Sequence, residues 1–429
     1  MTARAASRDF MRGTASSERF SDWYSRNRTR SQRLFDLVAD TAYYSRPIDL
    51  RHPIVFYEGH LPAFSFNTLV KRALGGPSID AGLEMLFARG IDPSEDQAAR
   101  SGGHQWPSRA TVQQFAAEAD RHVRAALDRD DLDRPGDRLL NRAEAAFTIL
   151  EHEAMHQETL LYMWHRLPLD QKRRPQGYQP VTDGVIPAQE WLEIPAGCVT
   201  LGLDDDALLF GWDNERPHLA ADVAAFTLQR HNVTNTDYLE FVNQGGPAPL
   251  FWERHSDAWY WRGMFELVPL PLDWPVYVSL AEAMAFARWR DARLPTEAEF
   301  QRAAFGSPDG ERPYPWGWDE PSPDRGAFDF ASWEPTPAGS HPAGASAWGV
   351  HDLVGNGWEW TSTPFAPFPG FRAMPSYPEY SADFFDGQHF VMKGASPATA
   401  RELLRPTFRN WFRARYPYVY ATFRCVRLD

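Results

Sequence analysis

The pattern of the chain changes near Asp170, and that change limits the folds open to it. Up to Arg166, apolar residues recur at helical spacing; from Trp191 onward, short strand-like runs such as WLEIPAGCVTLGL and HFVMKGAS alternate with turns. Between them, DQKRRPQGYQPVTDGVIP mixes Pro, Gly and charge with no periodicity and reads as a linker. At 429 residues the chain is also too long for one ordinary core. The sequence therefore predicts a flexible tail over 1–20, a helical bundle over 21–170, a linker over 171–190 and an α+β domain over 191–429.

Four main helices are expected in the first part, over 21–37, 64–74, 108–127 and about 138–166, which suggests a four-helix bundle. In the second part helices are expected over 235–242, 280–290 and 296–304. The last carries Thr296 as N-cap with Glu299 at the capping-box position.

Composition removes several classes. With 43% hydrophobic and 24% charged residues, the chain is globular rather than disordered. It holds no run of ~18 apolar residues, so no membrane-spanning helix and no membrane partner are expected. MTARAASRDFMRGTASSERF has no apolar core of a secretory signal, so the cytoplasm is the expected compartment. Cys198 and Cys425 are the only cysteines, too few for a disulfide scaffold or a thiolate zinc site. A net charge of −13 argues against nucleic acid as a main partner, leaving small molecules. The 17 tryptophans are enough to pin irregular loops and to build a ligand cage.

The segment Glu151-His-Glu-Ala-Met-His-Gln-Glu158 carries the chemistry. Four residues advance a helix by ~400°, so His152 and His156 leave one face about 40° apart. Ile149, Leu160 and Met163 share that stripe, which turns it toward the interior. Buried histidines must be hydrogen-bonded, paired or metal-bound. His60, in Tyr57-Glu-Gly-His60, is a third candidate ligand, and three imidazoles would leave open positions on a metal. The letters His152-Glu153-x-x-His156 also spell a zinc-peptidase motif, with the glutamate as general base. Its extended form needs Gly at 159 and His at 162; Thr159 and Tyr162 stand there.

The second half carries GWDNERP from Gly211, VTN from Val233, RLPTEAEF from Arg293, YPWG from Tyr314, GVHDLVGNGWEWT from Gly349, KGAS from Lys393 and FRC from Phe423. In this order they resemble the formylglycine-generating-enzyme (sulfatase-modifying-factor) fold, a C-type-lectin-like domain, over about 190–429. The family's oxidising members use a cysteine pair, which Cys198 and Cys425 do not supply. The first half resembles a DinB-like bundle with a His-x3-His-x-Glu motif at His152, His156 and Glu158. The two together are similar to the ergothioneine-type sulfoxide synthases, non-haem iron enzymes that join a thiol sulfur to an imidazole carbon with O₂.

This resemblance implies Fe(II) on His60, His152 and His156. Glu158 lies ~200° around the helix from His156, so it is not expected as a ligand. Phe408-Arg-Asn-Trp-Phe412 resembles the family segment that holds hercynine, the trimethylated histidine substrate. That implies Trp411 and Phe412 as aromatic faces for the quaternary ammonium. Asn410 is then a hydrogen-bonding partner of the substrate imidazole, with Gln157 as a second. Tyr377 and Tyr380 are candidates to deliver a proton or electron, and Arg413 and Arg415 to hold a donor carboxylate. Members using γ-glutamylcysteine carry Asp where Phe412 stands, which implies a smaller donor such as cysteine. The selenoneine synthases, a branch that accepts a selenosugar, fit the same residues. Two rival classes remain open to the sequence: a zinc peptidase, and a non-catalytic lectin-like binding module.

Overall fold

The computed structural model describes residues 19–88, 106–204 and 210–428; the expected tail falls almost wholly outside them. The described chain divides into two compact units. One takes in residues 19–177 together with 375–377, the other residues 178–374 and 378–428.

The first unit is helical. Its elements are α1 (Phe20–Asp36), α2 (Ile54–Ser65), α3 (Ala81–Leu86), α4 (Arg109–Leu127) and α5 (Glu144–Arg166). α2 runs on into π-helical turns over Phe66–Ala73. α2 packs on both α4 and α5, and α1 lies along α5.

Two helix starts differ from expectation. α2 begins ten residues before position 64, at Ile54. Every residue from Ile54 to Ser65 is buried, so the segment has no polar face to give it a periodicity. Pro62 sits inside it, where a proline ordinarily signals a helix end. At the other site, Arg142 and Ala143 take left-handed φ values of 58° and 55°, so α5 starts at Glu144 rather than near 138.

A buried ion network ties three helices together. The Arg28 guanidinium of α1 contacts Asp120 of α4 at 3.0 Å and Glu153 of α5 at 2.8 Å. Tyr24 donates to Asp120 at 2.7 Å, and Ser31 donates to Glu153 at 2.7 Å. Burial pushes the Glu153 carboxyl above its ordinary range, against the pull of Arg28. One cation thus serves two carboxylates inside the bundle.

The second unit is built from short strands and long, irregular connections. In chain order these are β1 (Trp191–Ile194), β2 (Gly197–Leu201), β3 (Leu219–Val223), β4 (Phe226–Gln229), α6 (Asn235–Asn243), β5 (Trp252–His255), β6 (Ala258–Arg262), β7 (Leu267–Pro269), α7 (Leu280–Trp289), β8 (Ala292–Arg293), α8 (Glu297–Phe305), β9 (Gly306–Ser307) and β10 (Gly310–Glu311). Then come β11 (Gly357–Pro364), β12 (His389–Ala395), β13 (Asn410–Arg413), β14 (Ala421–Thr422) and β15 (Val426–Arg427). One sheet has the order β1-β4-β15-β8 and another β13-β12-β11-β14, with a three-stranded β5-β6-β7 sheet and the hairpins β2–β3 and β9–β10. Thr296 and Glu299 form the expected capping box on α8, and Ser279–Glu282 and Thr234–Asp237 repeat it on α7 and α6.

Buried arginine–glutamate pairs hold the connections where secondary structure does not. Arg424 and Glu359 meet at 2.6 Å, both fully buried. Arg409 binds Glu297 at 2.8 Å and Arg405 binds Glu215 at 2.6 Å. Lys393 donates to the carbonyls of Pro406 and Phe408, and burial lowers its ammonium to about 8. These bonds fix the approach to β13, the edge strand that carries Asn410, Trp411, Phe412 and Arg413. No described helix is long and apolar enough to cross a membrane.

Removing one member of the Arg28 network strands its buried partners. Arg28→Ala is expected to destabilise the protein by about 3–5 kcal/mol in chemical denaturation. Arg121→Ala, which removes a solvent-exposed pair with Glu118, is expected to leave stability nearly unchanged. Equal effects of the two changes would contradict the role given to the network.

Candidate metal centre

His60 on α2 and His152 and His156 on α5 converge, with one ring nitrogen from each lying within 4.8 Å of the others. Ring centroids are 5.2 Å apart for His60–His152, 5.1 Å for His60–His156 and 4.4 Å for His152–His156. Among the described residues this is the one cluster of three or more His, Cys, Asp or Glu side chains with such spacing.

α2 supplies the surroundings through residues spaced four apart. Phe56 stacks on His60 with centroids 5.1 Å apart, and Phe64 lies flat on His152 at 3.5 Å. Tyr57 leans on His156 at 5.9 Å. These rings enclose the cluster, and burial therefore disfavours imidazolium. His60 is lowered to about 4 by burial, against its hydrogen bond to Phe87. His152 and His156 fall well below the ordinary imidazole range, first through burial and then through their histidine neighbours.

The hydrogen bonding fits a metal. Nδ1 of His60 donates to the Phe87 carbonyl at 2.7 Å, since a carbonyl can only accept. That bond fixes the tautomer and leaves Nε2 with its lone pair free for an ion. His60 Nε2, both nitrogens of His152 and Nδ1 of His156 are buried with no hydrogen-bond partner. Buried orphans of this kind are costly unless something else binds them. Neutral, convergent imidazoles with unpaired ring nitrogens are the donor set of a borderline divalent ion such as Fe(II), and three ligands leave open positions for substrate.

The Phe87 carbonyl was not marked by any sequence pattern. A Cβ on Gly59 would lie 2.6 Å from the Phe87 ring, so only glycine allows that ring to seat against α2 and hold the carbonyl on His60.

The remaining expected site residues separate into several places. Tyr377 lies beside the cluster: its ring is 6.0 Å from His152 and 5.1 Å from Phe64. Tyr380 belongs to the other unit and is buried there, stacked on Trp212 at 4.0 Å. Gln157 does not face the histidines. Its amide donates to the Asn27 carbonyl at 2.9 Å and to Ser31 at 3.0 Å, and it accepts from Arg30 at 3.2 Å. Five residues beyond His152, it projects ~140° away, into the α1–α5 seam.

Trp411 stacks on Phe365 at 4.3 Å and 4° between planes, with Tyr380 edge-on at 5.1 Å and Phe384 at 5.6 Å. Phe412 stacks instead on Tyr416 at 5.0 Å. Neighbours on a strand point to opposite sides, so the two rings do not face each other across one cage. Asn410 shares the side of Phe412 and caps the backbone N–H of Trp411 at 2.9 Å. Arg413 and Arg415 are exposed. Glu153, the general base of the peptidase alternative, is turned into the Arg28 network and away from the histidines.

A helical bundle enclosing three neutral imidazoles, continued by an α+β domain of short strands, defines a two-part metalloprotein. Residues 24–160 match the DinB superfamily, and residues 178–428 match the family described as sulfatase-modifying factor enzyme 1-like domain. The chain is 35% identical over 295 residues to the hercynine oxygenase of Mycolicibacterium smegmatis, covering 61% of this chain and 67% of that one. It is 38% identical over 251 residues to the hercynine oxygenase of Mycobacterium tuberculosis, covering 53% and 58%. With ergothioneine biosynthesis protein 1 of Neurospora crassa it shares 29% identity over 89% of this chain and 54% of that protein. It thus spans about half to two thirds of the length of these relatives. The chain belongs to the hercynine oxygenase family, a family of non-haem iron enzymes.

Alanine at His60, His152 or His156 is expected to abolish tight Fe(II) binding, read by anaerobic titration and metal content, while Glu153→Gln keeps the metal. Gly59→Ala is expected to weaken Fe(II) affinity about 10–100-fold by displacing the carbonyl that orients His60. Full iron content in the histidine variants would place the metal elsewhere.

Proposed function

We propose that this protein joins a sulfur or selenium donor to the imidazole carbon of hercynine, using Fe(II) and O₂, in the formation of ergothioneine or selenoneine. The observation that carries the reading is the convergent trio of imidazoles beside Tyr377, each with at least one buried ring nitrogen that has no hydrogen-bond partner. Kinship with hercynine oxygenases supports the acceptor.

Each group has a task in this reading. His60, His152 and His156 hold the metal, and bound Fe(II) would supply the one-electron chemistry with O₂ that carbon–chalcogen bond formation requires. Phe56 and Phe64 exclude water and lock two of the rings. Tyr377 carries the only phenol of the Tyr377/Tyr380 pair beside the ligands, and is the residue proposed to hold and deliver a proton. Trp411, backed by Phe365, Tyr380 and Phe384, offers the aromatic face for the trimethylammonium, worth ~0.5–2 kcal/mol per contact. Asn410, on the other side of β13, accepts from the backbone N–H of Trp411 and so steadies that face.

Phe412 bears on the donor. An uncharged ring stacked on Tyr416 gives no anion for the amine of a γ-glutamyl donor, which favours cysteine or a selenosugar. Arg413 and Arg415, exposed and cationic, are the proposed partners of the donor's carboxylate or other anionic group.

The test is a set of anaerobic Fe(II) reactions with hercynine, started with O₂ in the presence of cysteine, γ-glutamylcysteine or a selenosugar, with products read by mass. Coupling to cysteine or the selenosugar, in preference to γ-glutamylcysteine, is expected; no coupled product with any donor would refute the reading. Trp411→Ala is expected to raise the hercynine KM several-fold with iron content unchanged, since ~1.4 kcal/mol is tenfold. It should also narrow the preference for hercynine over unmethylated histidine. Equal loss for both ligands would make Trp411 a packing residue.

A further inference from the structure

The segment Pro375–Tyr377 interrupts the long connection between β11 and β12, yet it belongs to the helical unit. Its attachment there is specific. The Ser376 N–H donates to Glu144 Oε1 at 2.9 Å. Ser376 Oγ and Thr148 Oγ1 share a hydrogen bond at 2.8 Å, and both side chains are fully buried. Arg72 donates to the carbonyls of Ser376 at 3.2 Å and Pro375 at 3.3 Å. The next residue, Tyr377, lies with its ring 6.0 Å from that of His152.

Glu144, Thr148 and His152 are four residues apart on α5 and therefore lie along one slowly drifting stripe. The segment is bonded to the first two positions of that stripe, and its tyrosine meets the third. Registration along the helix is thus set by groups that touch neither metal nor substrate. A buried hydroxyl pair is well suited to this: one hydroxyl donates and the other accepts, and a shift of the segment would break the bond between two buried polar atoms.

We propose that Thr148 and Ser376 are positioning residues that hold the Tyr377 phenol in register with His152 for the reaction. The catalytic half of this inference rests on the role given above to Tyr377; the positioning half does not.

The experiment therefore has two readouts. In the first, 3-fluorotyrosine is placed at position 377 of the full-length protein, and its ¹⁹F resonance is followed as Fe(II) is added without O₂. A strong paramagnetic shift and broadening is expected in the parent and in Thr148→Ser, which keeps the hydroxyl. A reduced effect is expected in Thr148→Val and Ser376→Ala at equal iron content. In the second, Thr148→Val and Ser376→Ala are expected to lower kcat about tenfold, the scale on which small misplacements act, with the hercynine KM within about twofold. In a Tyr377→Phe background the same changes should cost nothing further.

An unchanged resonance in Thr148→Val and Ser376→Ala, or no Fe(II) effect on the parent, would overturn the positioning. Additive losses in the Tyr377→Phe background would overturn the link to catalysis. If Tyr377→Phe turns over normally, the catalytic role of the phenol falls while the resonance still decides the positioning. Should Thr148→Val not fold, Ser376→Ala removes the other half of the same bond and decides in its place.

Discussion

Three imidazoles enclosed by phenyl rings cannot all be charged, and without a ligand they leave buried nitrogens unpaired. The helical unit is organised around that constraint. α2 is buried on every side because it must bring His60 inward while walling the cluster with Phe56 and Phe64. α5 presents its histidines on one face and gives its opposite face, through Glu153 and Gln157, to a polar seam with α1. That seam makes α5 a rigid platform, and rigidity in the platform is what gives a metal site its fixed geometry.

The second unit solves a different problem. With short strands and long connections, its backbone is held by fully buried charge pairs such as Arg424–Glu359 and Arg409–Glu297. Their consequence is local: the segment leading to β13 is fixed from both sides by Arg409 and Lys393, so Trp411 is delivered onto Phe365 in a defined stack. In the proposed reading this aromatic wall meets the trimethylammonium, a contact that needs no charged group.

The legible parts of the sequence were those where local chemistry and tertiary structure agree. Histidines four apart on a helix share a face whatever surrounds them, so His152 and His156 were readable from spacing. The Thr296–Glu299 capping box was readable because it closes within one turn. The start of α2 was hidden because complete burial erases amphipathic contrast and Pro62 imitates a helix end. Gln157 and Phe412 adjoin His156 and Trp411 in sequence but not in space, because 100° per helical residue and 180° per strand residue send neighbours to different partners. The placement of Tyr377 depends on Ser376 meeting Thr148 across 228 positions, and no local pattern encodes a contact of that range.

The central claim is that three histidines and no carboxylate hold the working metal. X-ray absorption at the iron edge of anaerobically loaded protein tests it most directly. The account predicts one Fe(II) per chain, with about three imidazoles in its scattering and the imidazole signature reduced or the iron lost in His152→Ala. A site dominated by oxygen ligands, or an imidazole count unchanged in His152→Ala, would contradict it.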